Sequence, residues 1–176
     1  EICNATVKDN GLGSVAIEFT PGPIKAGNYD FKIGTAGSTT LLAQTILPAL
    51  MQAEGNSTIA MEGGTHNGMA PSVDFIEQSF LPQLRKAGLV IESNLAIHGF
   101  YPNGGGRWQL GIKPNKKLAR LNLTERGAMQ EQSAVVTSSN IEASIAEREL
   151  ARIQQKLGWQ ASQLHAKQVA SPGPGN

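Results

Sequence analysis

The sequence predicts a mixed α/β fold, and three observations carry that prediction. Residues 28–33 alternate, with Tyr29, Phe31 and Ile33 on one face, and residues 57–62 read as a second short strand. Each of these strands runs into a glycine-containing loop, and an apolar stripe at helical spacing follows each loop behind a serine, Ser38 or Ser72, that suits an N-cap. Two further strands, 89–97 and about 106–113, face each other across the run His98 to Gly106. The order over 29–113 is therefore β-α-β-α-β-β. Strands separated by helices call for right-handed crossovers and parallel pairing, whereas the last two can form an antiparallel hairpin.

Taken in order, 14–20 alternates and stops at Pro21-Gly22-Pro23, as a strand would. Behind Ser38, residues Leu42, Ile46, Ala49 and Leu50 form the first stripe, and Pro48 within it predicts a kink or local break near Leu47. Behind Ser72 a second helix is expected from about Val73 to Ala87, with Asp74 and Glu77 near its positive end, an interruption at Pro82 and a stop at Gly88. The character changes near Gly127, and 128–176 reads as the opening of a second module. There, 132–137 is a strand candidate, Ser139 and Glu142 fit a capping box, and Ile145, Ala146, Leu150, Ile153 and Leu157 make a stripe closed by Gly158. Residues 159–169 are a further strand candidate, and 171–176 a turn or loop.

Composition narrows the function classes. The 176 residues carry 15 basic and 14 acidic side chains, a net charge of +1, which excludes a strongly basic nucleic-acid clamp and an acidic tail. The single cysteine, Cys3, cannot form an internal disulfide and favours a reducing compartment. The three histidines, His66, His98 and His165, show no metal-ligand spacing, so no metal site is expected within the chain. No apolar run reaches the roughly 18 residues of a membrane span and no signal peptide is visible, so a cytoplasmic protein without membrane contact is expected.

Three segments carry candidate chemistry. Gly34-Thr35-Ala36-Gly37-Ser38 joins a strand to a helix, so Gly34, Gly37 and Ser38 could present backbone N–H groups and a positive dipole end to a phosphate; the alternative is a plain turn with a serine cap. No lysine follows the last glycine, so it is not a Walker loop. Gly63-Gly64-Thr65-His66-Asn67 leaves the second strand on the same rim, placing Thr65 beside the first loop, while His66 itself reads as a surface histidine in a polar connection. The run from His98 to Gly106 ends in three glycines, which suggests a flat backbone against another surface, with His98 a candidate contact. Arg126, beside Gly127, could meet a phosphate.

Together these segments resemble the RNA 3′-terminal phosphate cyclases. The matching stretches are Glu1-Ile2-Cys3 with Ala5-Thr6-Val7, the first glycine loop with Gln44-Thr45-Ile46-Leu47-Pro48-Ala49-Leu50, and Gly63-Gly64-Thr65 with Ala70-Pro71 and Asp74-Phe75. They continue with His98-Gly99-Phe100-Tyr101-Pro102 and Gly104-Gly105-Gly106, Glu125-Arg126-Gly127, Ala146-Glu147-Arg148-Glu149 and Gly173-Pro174-Gly175-Asn176. The resemblance implies repeated β-α-β-α-β-β units with a smaller thioredoxin-like α/β module inserted. On that pattern 1–127 belongs to the repeat domain, with a complete unit at about 29–113, and 128–176 is the first part of the insert.

The family reaction implied is ATP- and divalent-metal-dependent, with Mg2+ or another such ion. A histidine is adenylated, AMP passes to an RNA 3′-phosphate, and the neighbouring 2′-hydroxyl closes a 2′,3′-cyclic phosphate. The family's adenylated histidine and its N-terminal glycine-rich segment with an acidic residue match nothing here, so the resemblance implies a fragment that is inactive alone and has no catalytic nucleophile of its own. Gln44 matches the family's ATP-contacting glutamine, and Pro71-Ser72 the stretch near the adenine. Arg107-Trp108 departs from the aliphatic residue common after the triple glycine. The partner implied is an RNA bearing a 3′-phosphate. The rival reading is a non-catalytic cyclase-like protein that assists ribosome assembly.

Overall fold

The computed structural model describes residues 1–176. A short antiparallel ribbon, β1 (Thr6–Lys8) with β2 (Glu18–Thr20), comes first, and every residue in it is exposed. The strand expected over 14–20 thus contracts to its last three residues. Val15 and Ile17 are exposed, so their alternation has no apolar surface to face.

A four-stranded sheet in the order β3-β4-β6-β5 holds the centre, built from β3 (Asn28–Lys32), β4 (Ser57–Gly63), β5 (Val90–Ile97) and β6 (Gly106–Lys113). β3 and β4 run parallel across α1 (Thr39–Leu50), and β5 and β6 form the expected antiparallel hairpin. β6 then inserts antiparallel beside β4, leaving β5 at the edge. The two-residue period sends Ile59, Met61, Ile91, Trp108, Leu110 and Ile112 to one face, where Ala43, Ile46, Leu47 and Leu50 of α1 cover them. Residues of the opposite face, such as Asp30, Lys32, Arg107 and Gln109, stay exposed.

Pro48 does not break α1. Met51 N still donates to Leu47 O at 2.9 Å, Pro48 is exposed, and buried Leu47 and Leu50 anchor the turns on either side. The second helical segment is composite: α2 (Val73–Phe75), a π-helical turn (Ile76–Phe80) and α3 (Leu81–Lys86). Pro82 therefore falls in the first turn of α3, where its missing N–H is not needed, and Leu81 N reaches Ile76 O across the wide turn. Gly88 follows with φ +96°, consistent with a helix stop.

Beyond an irregular segment, β7 (Ala134–Ser138), α4 (Ala143–Leu157) and β8 (Leu164–Gln168) form a parallel β-α-β unit. A 3₁₀ turn over Ala161–Gln163 shortens the strand expected from 159. Gly158, at φ +67°, ends α4 as expected. Ser139 is not the cap: α4 starts behind Glu142, which makes no side-chain cap bond. Ser139 is instead buried, and its backbone exchanges two hydrogen bonds with Gly175 at 2.8 and 2.9 Å.

Candidate functional site

The three glycine-containing loops meet at one rim. Gly64 N donates to Gly37 O at 2.8 Å, and Thr39 returns both its N–H and its Oγ1–H to Gly64 O at 2.9 Å. A Cβ on Gly63 would stand 2.9 Å from Gly37 O, so the first two loops close only around glycine. Asn67 Nδ2 adds a bond to Ala36 O at 2.7 Å. The third loop closes the ring. Thr65 N donates to Gly99 O and Gly99 N donates back to Thr65 Oγ1, both at 2.9 Å. A Cβ on Gly104 would lie 2.5 Å from Thr35 O, back at the first loop.

The triple glycine is thus a packing device with a different neighbour at each position. Gly104 faces Thr35 and Ala36, Gly105 faces Pro172, and Gly106 faces Gly99 and Thr65. The tail lies against the same loop: His98 N donates to Ala170 O at 3.1 Å, Gly173 abuts Asn103, and Gly175 abuts Phe100. The flat surface expected there is supplied by the chain's own last residues and by the first glycine loop.

Within this frame a polar relay forms. Thr65 Oγ1 lies 2.8 Å from His66 Nδ1, and His66 Nε2 lies 2.8 Å from Asp74 Oδ2. Buried Thr65 already accepts the Gly99 N–H, so its own proton is directed at Nδ1. That leaves the Nε2–H of His66 to donate to the Asp74 carboxylate. This bond holds the Asp74 carboxyl below its usual range, against the opposing effect of partial burial. The His98 ring stacks on His66 with centroids 5.0 Å apart and an interplanar angle of 28°. Burial, then the neighbouring His66, lowers the His98 pKa, with Asp74 acting in the opposite direction.

The reading of His66 as a surface residue is overturned. Its side chain is only 11% exposed and both ring nitrogens are engaged. The sequence assigns Asp74 to the positive end of the helix and to the stretch shared with the cyclases; its place opposite His66 depends on the turn at Ser72, which brings together positions eight apart in sequence. Ser72 Oγ accepts from Phe75 N at 3.2 Å and so caps α2. Pro71 O accepts from Thr40 Oγ1 at 2.7 Å. Gln44, one turn beyond Thr40 on the same face of α1, is half-buried, and its amide hydrogen-bonds to no other residue.

At the first loop, Gly34 takes φ +73° and a Cβ on Gly37 would strike Ile33 Cγ2 at 2.6 Å. Ser38 Oγ accepts from Leu41 N at 3.1 Å, and Gly37 N and Thr39 N are also engaged within the chain. Arg126 lies in the fully exposed stretch 121–130, forms no ion pair, and is not brought into this cluster. No three His, Cys, Asp or Glu side chains come together to hold a metal ion.

A cleft of about 350 Å3 opens beside the relay, lined by His66, Ser72 and Asp74 on one side and by Thr137, Glu149 and Asn176 on the other. A larger groove of about 450 Å3 over the polar sheet face contains none of the candidate residues.

The sequence that builds this arrangement has relatives. The family model described as RNA 3′-terminal phosphate cyclase matches residues 1–171. Proteins named RNA 3′-terminal phosphate cyclase are 45% identical in Pseudomonas fluorescens and 43% identical in Ralstonia nicotianae, each aligned over 177 positions and all of this chain. A third, in Koribacter versatilis, is 41% identical over 98% of it. The chain spans about half the length of these relatives, 52%, 51% and 50% respectively. Since the match runs through all three glycine loops and every residue of the relay, the chain belongs to the RNA 3′-terminal phosphate cyclase family.

Proposed function

We propose that this chain is part of an ATP-dependent enzyme that converts an RNA 3′-phosphate into a 2′,3′-cyclic phosphate. The reaction proceeds through enzyme–AMP and RNA–adenylate. The observation that carries the reading is the continuous match to proteins bearing the cyclase name, together with an unpartnered Gln44 amide at the nucleotide-binding position implied by the resemblance. ATP is consumed as the source of AMP.

The residues present suit a nucleotide. Gln44 offers one donor and one acceptor group from a half-buried position, and Thr40 ties the same face of α1 to Pro71-Ser72, where the adenine would rest. No three acidic, thiol or imidazole side chains of this chain cluster, so none of its residues is assigned to the divalent cation. No step is therefore routed through a metal on this chain. The nucleophilic histidine belongs to the remainder of the cyclase, because both ring nitrogens of His66 are bound and the resemblance places none of the three histidines at the adenylated position. Adenylation followed by transfer divides one difficult phosphoryl step into easier ones.

The test is incubation of the whole cyclase with ATP labelled at the α-phosphate, then denaturing electrophoresis. A labelled protein band that discharges when 3′-phosphorylated RNA is added supports the reading. A protein that takes no label, with or without a divalent metal, refutes it.

A further inference from the structure

We infer that His98 is the general base for ring closure, taking the proton of the RNA 2′-hydroxyl onto a ring nitrogen as that oxygen attacks the activated 3′-phosphorus. The inference rests on the proposed cyclase reaction and assigns one of its steps to this chain. Two imidazoles stack at the rim, but they are not equivalent. His66 spends one nitrogen on Thr65 and the other on Asp74, so it forms the fixed wall. The His98 ring hydrogen-bonds to no other residue, so its nitrogens are free for a substrate.

Its position is fixed all the same. His98 N is tied to Ala170 O, the next residue is bonded in both directions to Thr65, and the ring packs against both His66 and Phe100, at 5.0 and 6.3 Å, in a triangle whose third side is 5.5 Å. Pro71-Ser72, the candidate adenine contacts, lead directly into Asp74 at the far end of the same relay. A nucleotide there would put its phosphate chain within the same cluster of loops.

The charged and titratable groups facing His98 are His66 and Asp74 from the β4–α2 side and Lys167 from β8. Burial, His66 and Lys167 disfavour the imidazolium, and Asp74 alone favours it. The ring is therefore neutral at physiological pH and able to accept a proton. Asp74 cannot substitute, because its carboxylate is engaged by His66 and is a weak base.

The step balances without a further reactant. The 2′-oxygen–phosphorus bond forms as the bond from phosphorus to the AMP oxygen breaks, the electron pair leaves on AMP, and the proton remains on His98 until solvent removes it.

The experiment uses the whole cyclase and chemically prepared RNA–adenylate, so that ring closure is followed in a single turnover without the adenylation steps. In the wild type the rate should rise with pH to a plateau, with an inflection below the ordinary imidazole value of 6.5. His98→Gln should slow closure by roughly 10²- to 10⁴-fold, remove that inflection, and still form enzyme–AMP. NMR titration of the His98 ring in the wild type should give the same inflection as the rate, a comparison that needs no variant. Closure by His98→Gln at the wild-type rate, an unchanged inflection, or a His98 titration that does not coincide with the rate would overturn the inference and leave the cyclase reading intact. A wild-type protein that neither adenylates nor closes the ring would overturn both.

Discussion

Substituting Gly106 by alanine tests how tightly the three loops are joined. A Cβ there would lie 2.5 Å from Gly99 N, 2.8 Å from Gly99 Cα and 2.7 Å from Thr65 Cγ2. Two of these neighbours are backbone atoms, and Gly99 is held by reciprocal hydrogen bonds to Thr65. Neither side can swing away as a long side chain could, so the loop must shift. Overpacking of this kind costs about 1–3 kcal/mol. At about 2–4 °C per kcal/mol for a chain of this size, melting should fall by roughly 2–12 °C. Gly111→Ala is the internal control. It lies in the same strand, and a Cβ there meets only the Glu92 side chain, at 3.6 Å from Cβ and 3.8 Å from Oε2, both ordinary contacts. Alanine within a strand is better than glycine by roughly 0.5–1 kcal/mol, so this variant should melt at or slightly above the wild type. Calorimetry of the two variants against the parent decides the matter. A Gly106→Ala protein as stable as Gly111→Ala would refute the close approach of the loops.

Other outcomes follow from the same structure. Gln44→Ala should weaken ATP binding to the whole cyclase by about 5- to 150-fold, the equivalent of 1–3 kcal/mol for an unpaired partner, without lowering the melting temperature; titration calorimetry with a parallel melt measures both. Ser93→Ala should destabilise the chain by about 1–3 kcal/mol, because it removes the acceptor 2.7 Å from the Nε1–H of buried Trp108 and the donor 2.6 Å from Glu77 Oε1; urea unfolding reads the loss. Stability should decline on acidification in two stages. The unfolded chain protonates His98 before the folded chain does, so stability is lost below pH 6.5 down to the lowered folded value. Asp74, depressed from 3.8, contributes stability above that value that disappears as pH falls through its folded pKa. Melts from neutral to acid pH should show His98→Gln blunting the first stage and Asp74→Asn the second.

Alternation and capping made the central unit legible. Tyr29 and Phe31, the Ser38 and Ser72 caps and the Gly88 stop all lie where local chemistry put them, because each signal acts within a few residues. The failures share a different cause. Pro48 predicts a break from its missing N–H alone, whereas the packing of Leu47 and Leu50 keeps α1 whole; the interruption expected at Pro82 does occur, as the π-helical turn just before it. Ser139 and Glu142 fit a local cap rule, but Ser139 pairs with Gly175, far away in sequence. The site divides in the same way. The glycine loops stand out in the sequence because close backbone approach excludes every other residue. The His66–Asp74 pair does not, since it depends on a turn whose direction no local pattern specifies. Placing β6 between β4 and β5 was likewise a matter of long-range pairing.

Under the proposed function, the enzyme containing this chain closes an RNA end. The most direct measurement treats an oligoribonucleotide bearing a 3′-phosphate with the whole cyclase, ATP and a divalent metal, then examines the product by mass spectrometry and phosphatase digestion. The cyclase reaction yields RNA lighter by one water, a terminal phosphate resistant to phosphatase, and one AMP released per end closed. RNA that keeps its mass and remains fully phosphatase-sensitive, with no AMP released, would contradict it.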